Sequence, residues 1–152
     1  MSPSVSTTAM TVAAAVVGSK GVRTDTLWYQ TLDKPAWQPP PVAFPLVWTP
    51  LYAMVAYGTG RLVEHSPPPE RLRIWALTVA DLVANAGWNW AFFDRRSPAA
   101  GLAVIAVLDG LNLGLLRAAR RRDRKAAAAL APYVAWCGFA TALNLSLWRR
   151  NR

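Results

Sequence analysis

The chain has 152 residues, 53% of them apolar and only 16% charged, with a net charge of +9 and a pI near 10.8. An ordinary soluble domain carries about 25% charged residues, so the deficit points away from one. The length indicates one domain, residues 1–152; the single Cys137 and single His65 exclude a disulfide framework, a Cys/His zinc site or a redox cysteine pair within one chain, and no phosphate-loop or dinucleotide glycine pattern is present.

The apolar residues are pooled rather than spread. Residues 1–19, 35–60 and 126–148 contain no Asp, Glu, Lys or Arg, while 74–93 and 97–116 contain one acid each, Asp81 and Asp109. A helix needs about 20 mostly apolar residues to cross a hydrocarbon layer roughly 30 Å thick, so these five stretches predict an all-α, membrane-embedded bundle of five transmembrane helices, an integral multi-pass protein. A mean hydropathy of only +0.17 is accounted for by 12 prolines and 17 basic residues crowded between the stretches. Basic residues at segment ends meet lipid headgroups; this placement argues against a nucleic-acid partner and for membrane lipid.

In chain order, the first span is Thr8 to Val22, cut short by Lys20 and Arg23; a cleaved leader is the rival reading, but no basic residue precedes the stretch. Trp28 to Pro45, with Pro35, Pro39, Pro40 and Pro41, reads as a stiff non-helical connector carrying interfacial tryptophans. The second span runs from Leu46 to Val63, with Pro50 expected in its first turn or two. Arg61 to Arg73, with Pro67-Pro68-Pro69, reads as the next connector, and the third span covers Ile74 to Phe93. Ser97-Pro98 is a helix-start signal for the fourth span, which runs to Leu116. The block Arg117, Arg120, Arg121, Arg122, Arg124 and Lys125 reads as a loop on an anionic surface, and the fifth span covers Ala126 to Trp148. With nine basic residues on the N-terminal side and eight on the other, orientation is undecided by the positive-inside rule.

Polar residues inside the spans fall on shared faces. Asp81, Asn85 and Trp88 follow at i, i+4 and i+7; Asp109 and Asn112 are three apart; Trp136, Ala140 and Asn144 step by four, as do Trp48 and Tyr52. Ionisable groups in hydrocarbon cost about 2.5–3.5 kcal/mol on insertion scales and face a bundle interior or cavity. Two readings stand side by side: interhelical hydrogen bonds worth about 0.6 kcal/mol each, or a pocket in which Trp48, Trp88 and Trp136 present flat walls to a planar ring system and a few amides orient it. Gly110 and Gly114 on the fourth span, and Ala14 with Gly18 on the first, offer close helix contacts, either inside one bundle or in a homodimer. Apart from Lys20, which ends the first span, no span holds a lysine, and none lies mid-span for a retinal Schiff base.

The sequences Trp28-Tyr29, Lys34-Pro35-Ala36-Trp37-Gln38-Pro39-Pro40, Phe44 to Tyr52, Asn85, Trp88, Phe92-Phe93 and Pro132 to Asn144 with Leu147-Trp148-Arg149 occur in this order. Together they resemble the signature of the translocator protein family (TspO/MBR, tryptophan-rich sensory proteins, peripheral benzodiazepine receptors), from about Trp28 to the end. The resemblance implies five transmembrane helices, often dimeric, that bind porphyrins and other tetrapyrroles without a required cofactor. Carried over position by position, the ligand site falls on Tyr29, Pro39, Trp48, Tyr52, Asn85, Trp136 and Ala140, with Trp88 and Asn144 nearby. It implies two alternatives to sensing: porphyrin degradation through Trp48 and Trp136, or transport of porphyrin or lipid-like ligands. The chain departs from the family in carrying Asp81 where Gln is usual, and in having no Tyr in Asn144 to Arg149 where the animal cholesterol pattern needs one.

Overall fold

The computed structural model describes residues 2–152, and these are 83% helical with no strand among them. The helices are α1 (Pro3–Gly21), α2 (Leu27–Thr31), α3 (Ala43–Glu64), α4 (Pro68–Asn89), α5 (Pro98–Arg122) and α6 (Arg124–Arg150), with a π-helical turn, Trp90–Asp94, continuing α4. Five of the six are long, at 19, 22, 22, 25 and 27 residues. Two of them, α5 and α6, combine the length and the apolar composition needed to cross a membrane. The other three carry that character less purely: α1 is rich in Ser and Thr, α3 includes Trp48, two Tyr, two Gly and two Pro, and α4 opens on Glu70, Arg71 and Arg73.

Local chemistry explains the boundaries. Ser2, Thr26 and Ser97 each accept a hydrogen bond from the backbone N–H three residues on, at 3.4, 3.3 and 3.1 Å, capping α1, α2 and α5; Pro3 and Pro98 follow their caps. Four sequence expectations are corrected. Pro68 and Pro69 lie in the first turn of α4, where no intrahelical N–H is lost, so the connector expected over 61–73 shrinks to His65–Pro67. The stretch read as a non-helical connector contains α2, one capped turn, and only 32–42 is free of helix. The basic block is not a loop: Arg117 to Arg122 form the last turns of α5, where cations complement the helix dipole, and Asp123 alone interrupts the helices before Arg124. Pro50 is the eighth residue of α3 rather than in its first two turns, and it leaves the Leu46 carbonyl without its helical donor on an exposed face.

The long helices close into a ring. α1 packs between α3 and α4, α3 against α6, α6 against α5, and α5 against α4. Three buried clusters fill it, one at the end where α3 meets α4 (Leu62, Val63, Ile74, Leu115, Leu130), one in the middle (Leu51, Val55, Leu82, Ile105, Leu108, Tyr133, Cys137) and one under α2 (Phe92, Phe93, Leu143, Leu147). Ser4 bonds Glu64 at 2.5 Å at one end, and Asn151 bonds the Asp33 backbone at the other, so the described termini lie at opposite ends of the ring.

Glycine decides two contacts. A Cβ on Gly101 would stand 2.8 Å from Asn144 Oδ1 and 3.0 Å from Phe92, and one on Gly18 would stand 3.3 Å from Ala86 Cα. The Ala14/Gly18 pair therefore serves packing of α1 on α4 within one chain and is not a free dimer surface. Gly110 has no neighbour within 4 Å of such a Cβ. Gly101→Ala is expected to destabilise the protein by about 1–3 kcal/mol through overpacking, whereas Gly110→Ala is neutral or gains up to about 1 kcal/mol of helix propensity; thermal unfolding in one detergent compares them.

At the α5–α6 junction Asp123 accepts from Lys125 N–H at 3.0 Å and from Arg61 Nε at 2.6 Å, with His65 Nδ1 at 3.8 Å; Arg122 pairs with Glu70 beside it. The Arg61 guanidinium holds the Asp123 carboxyl below the ordinary carboxylate range. The unfolded chain thus binds the proton more tightly, and this contribution to stability is complete above about pH 4 and disappears as pH falls through the depressed folded value. Unfolding temperatures between pH 7 and pH 2.5 are expected to fall less steeply at the acid end for Asp123→Asn than for the unsubstituted protein.

Candidate ligand site

The middle and α2-side clusters bring most of the sequence-derived site residues together. Trp48 on α3 stacks on Tyr52, ring centroids 5.3 Å apart at 30°, and meets Tyr133 of α6 edge-on at 6.2 Å. The Tyr52 hydroxyl donates to Asn85 Oδ1 at 2.9 Å, Asn85 Nδ2 donates to the Tyr133 hydroxyl at 3.0 Å, and Tyr133 donates to Asp81 Oδ2 at 2.9 Å. This directional chain ties α3, α4 and α6.

A second junction lies further along, three residues on in α4 and eleven on in α6. Trp88 Nε1 donates to Asn144 Oδ1 at 2.8 Å, and Asn144 Nδ2 donates to the Pro98 carbonyl at 2.7 Å, tying α4, α6 and the first turn of α5. Trp88 also stacks on Phe92 at 5.1 Å and 20°. Trp136 lies edge-on to Phe44 at 6.3 Å and against Phe139 at 5.1 Å, and its indole N–H is buried with no partner among the described residues. Trp48, Trp88, Trp136 and Ala140 all pack, half-buried, against the middle cluster.

Tyr29 and Pro39 lie toward α2, with Tyr29 in the cluster that Trp88 also borders. Tyr29, on α2, meets Phe93 at 5.3 Å, and its hydroxyl accepts from Gln38 Nε2 at 3.2 Å; Lys34 Nζ lies 4.6 Å from the Tyr29 ring centroid and donates to its carbonyl at 2.6 Å. Burial pushes the Tyr29 hydroxyl up from its ordinary value, against the opposing Gln38 hydrogen bond. Pro39 is half-buried in the connector after α2. Asn85 and Asn144 have both amide atoms engaged by the protein, so they brace the walls. Trp136 Nε1 and Gln38 Oε1 are among the polar atoms left buried and unpartnered.

Sequence reasoning gave no site role to Tyr133, Gln38, Phe44, Phe92 or Phe139. Tyr133 was within reach of it, since it precedes Trp136 by three on the same helical stripe; the phenylalanines carry no polar signal that separates wall from core. Two surface clefts of roughly 490 and 450 Å³ lie elsewhere, on either side of Trp90 on the outer face of α4.

A profile of the TspO/MBR family matches residues 6–149. The chain belongs to the TspO/MBR family. It is 33% identical over 125 residues to the tryptophan-rich protein TspO of Chlorobaculum tepidum, covering 82% of this chain and 79% of that one. It is 33% identical over 124 residues to a tryptophan-rich sensory protein of Cereibacter sphaeroides (82% and 77%), and 32% identical over 143 residues to the human translocator protein (89% and 82%). TspO/MBR proteins are membrane proteins, and with α5 and α6 long and apolar enough to cross a bilayer this chain is an integral membrane protein.

Proposed function

We propose that this TspO/MBR protein is a membrane sensor or binding protein in which α1, α3, α4, α5 and α6 each cross the bilayer and hold a flat apolar ligand, a porphyrin or other tetrapyrrole. The observation that carries the reading is the convergence of Trp48, Trp88 and Trp136 from three helices on one apolar cluster, with the Trp136 N–H left for a ligand acceptor. Tyr29, Pro39, Tyr52 and Ala140 complete the proposed wall. Asn85 and Asn144 hold its aromatic members in place through hydrogen bonds to Tyr52, Tyr133 and Trp88. Indole faces suit a tetrapyrrole because stacking buries large apolar area, at about 25 cal/mol per Å² before ordering costs. In the proposed homodimer, the open outer face of α5 at Gly110 is the close contact.

Five crossings place the two termini on opposite sides of the membrane. Tags at each end of the protein in sealed vesicles are expected to be accessible from different sides; both tags on one side would exclude an odd number of crossings.

For binding, Trp48→Ala and Trp136→Ala are each expected to weaken protoporphyrin affinity by roughly 1–3 kcal/mol, about five- to 150-fold in Kd. Trp148→Ala, at the end of α6 with Arg152 5.4 Å from its ring, should change it less than about threefold. Asn85→Ala should fall between, since it loses a brace and no aromatic wall. Titration of the Soret band, on variants of matched unfolding temperature, reads these affinities. Equal affinities for all three Trp variants would remove the ligand from this site, and catalytic loss of the Soret band in light, abolished in the Trp48 and Trp136 variants, would replace sensing by porphyrin degradation.

A further inference from the structure

Asp81 and Asn112 are each 1% exposed, and both carry buried polar atoms that no protein group satisfies. Asp81 Oδ2 accepts from the Tyr133 hydroxyl at 2.9 Å, while Oδ1 has no partner; both side-chain atoms of Asn112 are unpartnered. The two residues belong to one locale. Asn112 lies beside the Cys137 thiol, Cys137 follows Tyr133 by one turn of α6, and Leu82 and Leu108, next to Asp81 and one turn before Asn112, pack with both in the middle cluster.

Buried polar atoms of this kind call for a partner, either water or an ion, and a buried carboxylate requires a compensating charge. No side chain of the ring supplies one. Every Lys and Arg of the long helices stands within the first or last two turns, and α1 contributes only Lys20, at its far end. Asp81 meets the Tyr133 hydroxyl, which Asn85 links to Tyr52 of α3; the Cys137 thiol, one turn on from Tyr133, is the group that lies beside Asn112 and within electrostatic reach of both Asp81 and Asp109. Asp109 is already engaged, accepting from Thr141 Oγ1 at 2.6 Å.

We propose that Asp81 and Asn112, with the Tyr133 hydroxyl, form an internal site for a monovalent cation of sodium size, its shell completed by water. The carboxylate and amide oxygens are the hard donors such an ion takes, and one carboxylate is too few for the protein cages that hold calcium. A water in the ion's shell also gives the Asn112 N–H₂ an acceptor. The site adjoins the aromatic wall through Tyr133, whose ring lies edge-on to Trp48, and stands whether or not a tetrapyrrole binds there.

The test compares the purified full-length protein in sodium chloride with the same protein in choline chloride at equal ionic strength and pH. Sodium is expected to raise the unfolding temperature saturably, by about 3–6 °C near 150 mM for a site with a Kd of about 10 mM, and radioactive sodium is expected to be retained at one ion per chain. Asp81→Asn, which keeps the shape and removes the charge, should fold in choline and lose both responses; Asn112→Leu, the second variant, should require several-fold more sodium for the same rise. Identical unfolding temperatures in the two salts, a sodium response that survives Asp81→Asn, or stabilisation by acid that is equal in both salts would each overturn the proposal, the last by showing that a proton alone neutralises the acid.

Discussion

The ring stands on the rule that a polar atom inside a helical bundle must find its partner within the protein. Two asparagines meet that rule for three helices at a time. Asn85 takes a donor from α3 and gives one to α6, and Asn144 takes the Trp88 indole from α4 and gives to the Pro98 carbonyl at the start of α5, whose oxygen has a second lone pair for it. In an apolar interior such bonds have no competing water, so they fix which faces meet, and Gly101 lets Asn144 approach closely enough to make them. Dispersion between Leu, Val and Ile would hold the helices together but would tolerate sliding; the amide bonds do not.

Much of this was legible in the sequence because spacing encodes helical faces. The steps from Asp81 to Asn85 and Trp88, and from Trp136 to Ala140 and Asn144, placed those side chains on stripes that the fold turns inward, and Ser97-Pro98 marked the start of α5 to the residue. What failed did so for physical reasons. Prolines 67–69 read as a breaker because composition does not distinguish a proline in a first turn from one between helices, and the arginines before Asp123 read as a loop because charge suggests solvent even though arginine is a good helix former. Tyr133 shares the Trp136 stripe, but its role comes from partners on α3 and α4, and spacing along α6 shows only the stripe.

Charge also sorts by depth. The basic residues gather at both ends of the ring, with Glu64, Glu70 and Asp123 among them at one end and Asp25, Asp33 and Asp94 at the other, leaving Asp81 and Asp109 as the two acids between. The end pairs, Arg61 with Asp123 and Arg122 with Glu70, join helices where solvent is near. The interior acids have only hydroxyl donors, from Tyr133 and Thr141. The same residue type thus serves as a clasp at the rim and as an electrostatic demand in the middle.

The π-helical turn at Trp90–Asp94 bears on how this chain tolerates change in length. Its wide hydrogen bonds, Arg95 N–H to the Trp90 carbonyl at 3.1 Å and Ser97 N–H to the Phe92 carbonyl at 3.1 Å, accommodate one residue more than an α-turn would. Phe92 and Phe93 are both buried as a result, one under Trp28 and Trp88 and the other under Tyr29, while Trp90 stays outside against α1. Removal of a single residue here would restore the tighter winding and swing everything after it by roughly 100°. One of the two phenylalanines would leave the core, and Ser97 would no longer aim α5 at Asn144. Insertions and deletions are therefore filtered at this turn more severely than in the connector after α2, so relatives that differ in length should differ there and keep this segment's spacing.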